Sequence, residues 1–230
     1  DNEWAERFLA YSAKHGGKMD FFSYHLYAGT PEAFVQKNAL MKSLLDRYGY
    51  SDVEMILDEW NYLSNWTDEF VYTTEIIKSS DGAAFTAAVM QVCQDGPVDM
   101  LMYYDARPNT SFNGLFDFPH FHHISILFMA QTRELGIRVF SSTAEAGNIY
   151  VTAAKGEDGR MAVLVTNFSN DRNCIAPRSV DVEFKNCDIH EIRSFVTDKY
   201  KLHTETPVDI KDGKASIVMA PNSFILIETR

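Results

Sequence analysis

The stretch Val53–Asn61 constrains the fold more than any other part of the chain. It begins as a short apolar run of strand length and ends in Asp58, Glu59, Trp60 and Asn61. A strand that is buried on both faces reads as a continuous apolar run, as parallel strands in α/β proteins do. Carboxylates at its end are not needed for packing, and burying them without partners is costly. The stretch therefore predicts a parallel strand with acidic groups at its C-terminal end, where α/β barrels hold their chemistry.

Strand alternation assigns these side chains to two faces, because successive residues of a strand point to opposite sides. The first set is Met55, Leu57, Glu59 and Asn61, and the second set is Ile56, Asp58 and Trp60. If the first set faces the barrel axis, Glu59 lies at the barrel mouth and Asp58 points toward the helices. The alternative is a strand end whose acids cap the following turn.

Strands and helices alternate in the first 136 residues, with strand starts near 19, 53 and 98. Apolar periodicity and Gly/Pro breaks predict the bounds. The predicted strands are Met19–Tyr27, Val53–Asn61 and Val98–Asp105; the predicted helices are Asn2–Lys14, one beginning near Pro31, Tyr72–Gln94 and His122–Leu135. The aromatic residues of the first helix, Trp4, Phe8 and Tyr11, lie along one stripe. This order is typical of right-handed βα units around a parallel sheet.

The pattern changes after Gly136 to short strand-like runs separated by Gly-, Asn- and Asp-rich turns. The predicted strands are Asn148–Ala154, Met161–Phe168, Ser179–Phe184, Ile189–Val196, Ala215–Met219 and Ser223–Glu228. This part predicts an antiparallel β-sandwich or partial barrel. A complete (β/α)₈ barrel needs about 250 residues, so the first part is either a small open α/β layer or the last three βα units of a barrel. We predict a partial barrel domain over 1–137 and a β-sandwich domain over 138–230.

Composition limits the partners of the chain. The net charge of −11 argues against a nucleic-acid surface, and no apolar run is long enough to suggest a membrane span. The cysteines are widely spaced, at Cys93, Cys174 and Cys187, and form no CxxC pair; idle thiols and a Cys174–Cys187 bridge both remain open. We expect no cofactor and no metal. The compartment is open, with a secreted or periplasmic location favoured.

The three strand ends are polar and aromatic where the preceding residues are apolar, which is typical of a pocket wall lined with stacking rings. At these ends the chain resembles retaining glycoside hydrolases of clan A, closest to family 39, the β-xylosidase and α-iduronidase family. Asp20–Tyr27 resembles the sixth barrel strand of that family, and Ile56–Asn61 resembles the seventh, which carries the nucleophile. Tyr103–Asp105 with the loop Asn113–Asp117 resembles the eighth.

The resemblance implies a β-xylosidase-like enzyme that hydrolyses O-glycosyl bonds with retention, with Glu59 as the catalytic nucleophile. It implies a carbohydrate substrate, and the expected substrate-binding residues are His25, Tyr27, Trp60, Asn61, Tyr104 and Asp105. In the clan, the acid/base Glu follows Asn at the end of the fourth strand. Here the only Asn-Glu pair is Asn2-Glu3, which reads as a helix start. We therefore expect a truncated fragment that lacks the general acid/base and is inactive alone.

Other interpretations stay open at this stage. Asp105, one strand from Glu59, is an alternative second carboxylate. Trp66 could stack a sugar ring or pack against its neighbours. The histidines His120, His122 and His123 could suggest a metal site by composition, but a solvated or packed loop is favoured. The chain as a whole could be a non-catalytic carbohydrate-binding or structural module. A partial barrel has edge strands without pairing partners, and we therefore expect a homodimer formed through the exposed edges.

Overall fold

The computed structural model describes residues 2–107, 111–112, 137–139, 141–143 and 147–229. The predicted helix His122–Leu135, the loop Asn113–Asp117 and the histidine cluster at 120–123 lie outside these residues. The first elements are α1 (Asn2–Lys14), β1 (Phe21–Ala28), α2 (Pro31–Arg47), β2 (Glu54–Tyr62), α3 (Phe70–Ile77), α4 (Ser80–Gln94) and β3 (Met100–Tyr103).

Within the described residues, β1, β2 and β3 form a parallel sheet in which β2 is the central strand. The predicted alternation is thus confirmed, as is the position of Glu59 on the middle strand with His25 on its neighbour. The helices cover one face of this sheet. Phe34, Leu44 and Leu45 of α2 are buried in the same cluster as Phe22 of β1, which is what the helical spacing of the apolar residues in α2 predicts.

The predicted helix Tyr72–Gln94 is wrong in its continuity, because the structure divides it into α3 and α4. Ser79 caps α4: its Oγ accepts a hydrogen bond from the backbone N–H of Asp81. The two helices approach closely at Gly82, where a Cβ atom would lie 2.9 Å from the Cα of Ile77 and nearer still to the carbonyl oxygen of Ile76. A glycine at this position lets the chain turn back on itself.

The exposed face of α1 also differs from the simplest expectation for an aromatic stripe. Trp4, Phe8 and Tyr11 are exposed, whereas Ala5 and Leu9 are buried. Helix α1 therefore packs through its small aliphatic side, and its aromatic side faces outward from the described residues.

The second part of the chain is antiparallel. Its strands are β4 (Ile137–Val139), β5 (Ile149–Lys155), β6 (Met161–Asn167), β7 (Arg178–Glu183), β8 (Ile192–Thr197), β9 (Thr204–Glu205), β10 (Ile210–Lys211), β11 (Lys214–Met219) and β12 (Ser223–Thr229). Among the described residues, the larger sheet has the order β4-β5-β6-β12-β8-β9 and the smaller one the order β10-β11-β7. The six predicted strands all exist, and the short strands β4, β9 and β10 were missed.

The two antiparallel sheets share a core. Val165 and Ile225 of the larger sheet are buried with Ile217 and Met219 of β11, and Val180 of β7 packs against them. This packing has the character of a sandwich, in which inward-facing residues of two sheets interdigitate.

The larger sheet packs on helix α4. Ala83 and Ala87 of α4 are buried with Leu164 and Leu226 of the sheet, and Gln91 Nε2 donates to the Leu164 carbonyl at 3.0 Å. Small side chains on this side of α4 let the helix lie close to the strands. None of the described helices has the length and apolar character needed to cross a bilayer.

Candidate active site

The candidate site lies at the C-terminal ends of β1, β2 and β3, and a β-bulge in β2 shapes it. Tyr24 pairs with Leu57, but the next residue, His25, pairs with Glu59, so Asp58 is an extra residue in β2. The pairing of β2 with β3 shifts in the same segment, between Leu57 and Trp60. A bulge of this kind re-aims the side chains that follow it, and bulges are common next to active sites.

Because of the bulge, the side chains of β2 do not lie on the two faces that strand alternation predicts. Met55 and Leu57 are buried in the core cluster together with Trp60 and Tyr62, so the predicted grouping of Met55 and Leu57 with Glu59 is wrong. The predicted direction of Asp58 toward the helices is also wrong. Its Oδ1 lies 3.5 Å from His25 Nε2, and the same imidazole contacts Glu59. Strand alternation fails here because it assumes a regular ladder.

The Glu59 carboxylate has partners from the neighbouring strand. The Tyr27 hydroxyl donates a hydrogen bond to Glu59 Oε1, and His25 Nδ1 lies 3.6 Å from Oε2. The Glu59 side chain is 29% exposed. The carboxylate is therefore held by neighbouring side chains and remains accessible to a ligand.

Tyr27 is suited to act as a permanent donor to this carboxylate. Burial raises the pKa of its hydroxyl, and the hydrogen bond to Glu59 and the negative charge of Glu59 raise it further. The phenol thus stays protonated at neutral pH, and its O–H remains available to the charged oxygen.

His25 stands between two carboxylates. Its side chain is about half exposed, and its ring nitrogens face Asp58 Oδ1 and Glu59 Oε2 at 3.5 and 3.6 Å. These distances exceed those of good hydrogen bonds, so His25 lies near both carboxylates without a well-formed bond to either. Among the described residues, the buried Asp58 Oδ1 has no hydrogen-bond partner. The His25 imidazole, 3.5 Å away, is placed against this oxygen.

An aromatic wall stands beside Glu59. Tyr27 contacts Trp66 and Phe112 with ring centroids 5.3 and 5.4 Å apart, and Trp66 stacks on Phe70 at 6.2 Å. Tyr104 joins the wall through Tyr27. Trp66 is 58% exposed. An exposed indole in contact with the tyrosine that binds Glu59 is a suitable surface for a sugar ring, since the ring is apolar and its N–H can face water.

Asp105 is engaged by Arg107, a residue that sequence reasoning did not select. The backbone N–H of Arg107 donates to Asp105 Oδ1 at 3.1 Å, and its Nε donates to Oδ2 at 2.6 Å. Arg107 Nη2 also donates to the Tyr104 hydroxyl at 2.7 Å. Because both oxygens of the buried Asp105 accept from Arg107, the arrangement disfavours Asp105 as a second catalytic carboxyl group.

Two predicted substrate contacts are placed elsewhere. Trp60 is fully buried, with its ring 5.7 Å from Phe34 and 5.4 Å from Tyr103; the prediction that it touches substrate is wrong, because the bulge turns it into the core. Asn61 is also buried, and its Nδ2 donates to the Tyr104 carbonyl. Asn61 holds the chain after β3 in place and has no free face for a ligand.

The structure thus brings together Glu59, His25, Tyr27 and Tyr104 from the predicted set, with Asp105 behind them. Sequence reasoning missed the contact of Asp58 with His25 and the role of Arg107. The contact of Asp58 had a signal in the sequence, because two acids are adjacent at the end of β2. Apart from its position two residues after Asp105, no feature of the sequence marked Arg107 as part of the site.

The fold resembles solved glycoside hydrolases. A glucosidase from Croceicoccus marinus superposes with a TM-score of 0.74 at 18% identity, covering 98% of this chain and 57% of that chain. A family 44 xyloglucanase from Paenibacillus polymyxa has a TM-score of 0.67 at 13% identity, with 98% and 50% covered. An α-L-arabinofuranosidase from Thermotoga maritima has a TM-score of 0.65 at 16% identity, with 99% and 55% covered.

No protein-family model and no curated protein matches the sequence. This chain spans about half the length of the solved structures it resembles. At these identities the likeness concerns the fold, and the chain has a glycoside-hydrolase-like fold that corresponds to part of a barrel followed by antiparallel sheets.

Proposed function

We propose that this chain is the C-terminal part of a retaining glycoside hydrolase of clan A, closest to family 39 and β-xylosidase-like, with Glu59 as its nucleophile. One observation carries the proposal. Glu59 lies at the C-terminal end of the central parallel strand, partly open, with a tyrosine donor and a histidine on the adjacent strand. The glucosidase, xyloglucanase and arabinofuranosidase named above support the same reaction class, cleavage of an O-glycosyl bond.

The chemistry follows from the carboxylate and its neighbours. In a retaining enzyme two carboxyl groups lie about 5–5.5 Å apart, one as nucleophile and one as acid and then base. Glu59 attacks the anomeric carbon, the leaving-group oxygen departs with a proton from the second carboxyl group, and water later hydrolyses the glycosyl-enzyme ester. Tyr27 orients the attacking carboxylate, and Trp66 offers its indole to the sugar face.

We further propose that the second carboxyl group comes from a part of the parent protein that precedes these strands. Glu3, the one glutamate of this chain that follows an asparagine, lies exposed in the first turn of α1, and Asp105 is bound by Arg107. This chain alone is then inactive as a hydrolase. The division into a barrel part, 1–137, and a β-sandwich domain, 138–230, belongs to the same proposal.

The test uses the intact parent protein and an aryl glycoside. We expect Glu59→Gln to abolish turnover, because an amide cannot form the covalent intermediate, at a cost of several kcal/mol in the barrier. Glu54→Gln, which alters an exposed carboxylate at the other end of β2, is the matched control and should retain activity. An activated 2-fluoro-sugar should label Glu59, as read by peptide mass spectrometry.

Two results would contradict the proposal. A label on Asp58 would assign the nucleophile to the other acid of the bulge. Binding of sugars without turnover, unchanged in Glu59→Gln, would instead favour a non-catalytic carbohydrate-binding module.

A further inference from the structure

We propose that Arg172, in the loop that follows β6, is a positioning residue for the aromatic wall of the Glu59 site. Its meaning for catalysis rests on the proposed function. The residue comes from the antiparallel part of the chain, whereas the wall it supports is built on the parallel sheet. The sheets after residue 137 would then help to form the site in addition to packing behind it.

The first step is a contact between the two parts of the chain. Arg172 Nη2 donates to Glu69 Oε1, and the guanidinium lies 3.8 Å from the centroid of the Tyr72 ring. Glu69 is the residue that precedes α3, and Tyr72 lies in its first turn. Arg172 thus binds the start of α3 through both an ion pair and a cation–π contact.

The second step joins Glu69 to the loop that carries Trp66. The Ser64 hydroxyl donates to Glu69 Oε2. Asn65 Oδ1 accepts from the backbone N–H groups of Glu69 and Thr67, both at 3.0 Å. Trp66 therefore lies inside a short turn that is tied to Glu69 in two ways, through the carboxylate that Arg172 holds and through the Glu69 backbone N–H.

The third step is a parallel contact by the same loop. Asn170 Oδ1 accepts from the Tyr62 hydroxyl at 2.6 Å, and Tyr62 is the last residue of β2. Asn170 also approaches Gly29, where a Cβ atom would lie 2.7 Å from Asn170 Nδ2. Asn170, in the loop after β6, therefore contacts the last residue of β2 and lies against the segment that follows β1.

The last step leads from Trp66 to the reacting group. The Trp66 ring contacts the edge of Tyr27 at 5.3 Å, and Tyr27 donates to Glu59. A change in the loop that frees Trp66 would open the wall next to the carboxylate. Arg172 lies at the far end of this series of contacts, with its side chain about half exposed, so its replacement leaves the core intact.

The experiment follows the Trp66 indole directly in this chain. The chain has three tryptophans, so incorporation of 5-fluorotryptophan gives three ¹⁹F NMR signals that single Trp→Phe variants assign. In Arg172→Ala we expect the Trp66 signal to shift and broaden, while the signal of Trp4 in α1 stays unchanged. Arg160→Ala is the matched control, because Arg160 is an exposed arginine paired with Asp158 just before β6; it should leave all three signals in place.

Further variants test the route through Glu69. Glu69→Ala should produce a Trp66 change like that of Arg172→Ala, and the double variant should add little to either, since both remove one interaction. Arg172→Lys should restore the signal only in part, because an ammonium lacks the planar fork. A thermal melt of each variant checks that the fold is retained.

A Trp66 signal that is unchanged in both Arg172→Ala and Glu69→Ala would overturn the positioning role. A change equal to that of the Arg160 control would do the same. The fluorine readout uses no sugar, so such a result would leave the assignment of Glu59 standing. Conversely, failure of the Glu59 labelling experiment would leave the fluorine result as it is.

Discussion

At the scale of single residues, the site depends on how Glu59 is held. The carboxylate is bound by a phenol whose pKa is raised, first by burial and then by Glu59 itself. The donor therefore keeps its proton while the acceptor is charged, and a hydrogen bond to a charged group is stronger than one between neutral groups. Tyr27 also forms part of the aromatic wall, so the same residue holds the Glu59 carboxylate and shapes the site.

Tyr27→Phe tests this donor without changing the ring. A hydrogen bond to a charged group contributes about 1.5–3 kcal/mol. On the proposed function, we therefore expect kcat/KM of the intact parent protein to fall by roughly 10- to 150-fold, since about 1.4 kcal/mol corresponds to a factor of ten. The matched control is Tyr150→Phe, which removes another phenol–carboxylate bond, from Tyr150 to Glu32 at 2.6 Å. An equal loss of kcat/KM in both variants would contradict the orienting role.

At the scale of elements, two irregularities decide where side chains point. The bulge at Asp58 lets Glu59 face the site while Trp60 returns to the core. The break at Ser79 turns α4 against α3, and the turn depends on close backbone contact at Gly82. Both features interrupt a regular pattern where two segments of backbone must fit each other.

Gly82→Ala should destabilise the protein, because its new Cβ would meet the backbone of Ile76 and Ile77, which cannot move aside as a flexible side chain can. We expect a loss of about 1–3 kcal/mol in the free energy of unfolding, as for other overpacked sites. Gly96→Ala is the control, since its Cβ would lie 3.4 Å or more from its neighbours. Denaturant unfolding of both variants measures the difference. Equal midpoints would show that the helix pair can relax.

The loop before α3 should be sensitive to acid through Glu69. Hydrogen bonds from Ser64 and from Arg172 lower the pKa of this carboxyl group below its ordinary value of 4.5. A depressed pKa means that the stabilisation is present above about pH 4.5 and is lost as the pH falls through the lower folded value. We expect thermal melts of Glu69→Gln to show a weaker fall in stability below pH 4.5 than the unchanged protein. An identical fall in both would contradict the contribution of Glu69.

At the scale of the whole molecule, the parallel sheet has apolar side chains on its open face. Phe21, Met100 and Met102 are 55%, 42% and 45% exposed. Within the described residues, β1 and β3 each pair only with β2, so each presents an unpaired edge. Exposed edges and apolar patches of this kind promote association.

We expect this chain to self-associate, most simply as a two-fold dimer through its open barrel surface. Light scattering over a concentration series should give a mass near twice 26.2 kDa. Met102→Lys should shift the equilibrium toward the monomer, because it places a charge on that face, whereas a charge at exposed Val218 of β11 should have little effect. A stable monomer at every concentration would count against the dimer.

The sequence by itself determined the order of elements and the place of Glu59. Apolar periodicity and Gly/Pro breaks are local signals, so they predicted α1, β1, α2, β2 and β3 and the change to antiparallel strands after residue 136. The acidic end of β2 was visible because buried strands seldom carry carboxylates. These features depend on neighbours in the chain, which the sequence displays directly.

Only the tertiary structure decided which side chains meet. The bulge at Asp58 depends on how β1 and β3 pair with β2, and it sent Trp60 to the core and Asp58 to His25. The contact of Arg172 with Glu69 joins residues 103 positions apart. Backbone pairing and packing between distant segments set these contacts. The strand ends could therefore be predicted from local signals, whereas the face that each side chain occupies at those ends depends on how the strands pair in the sheet.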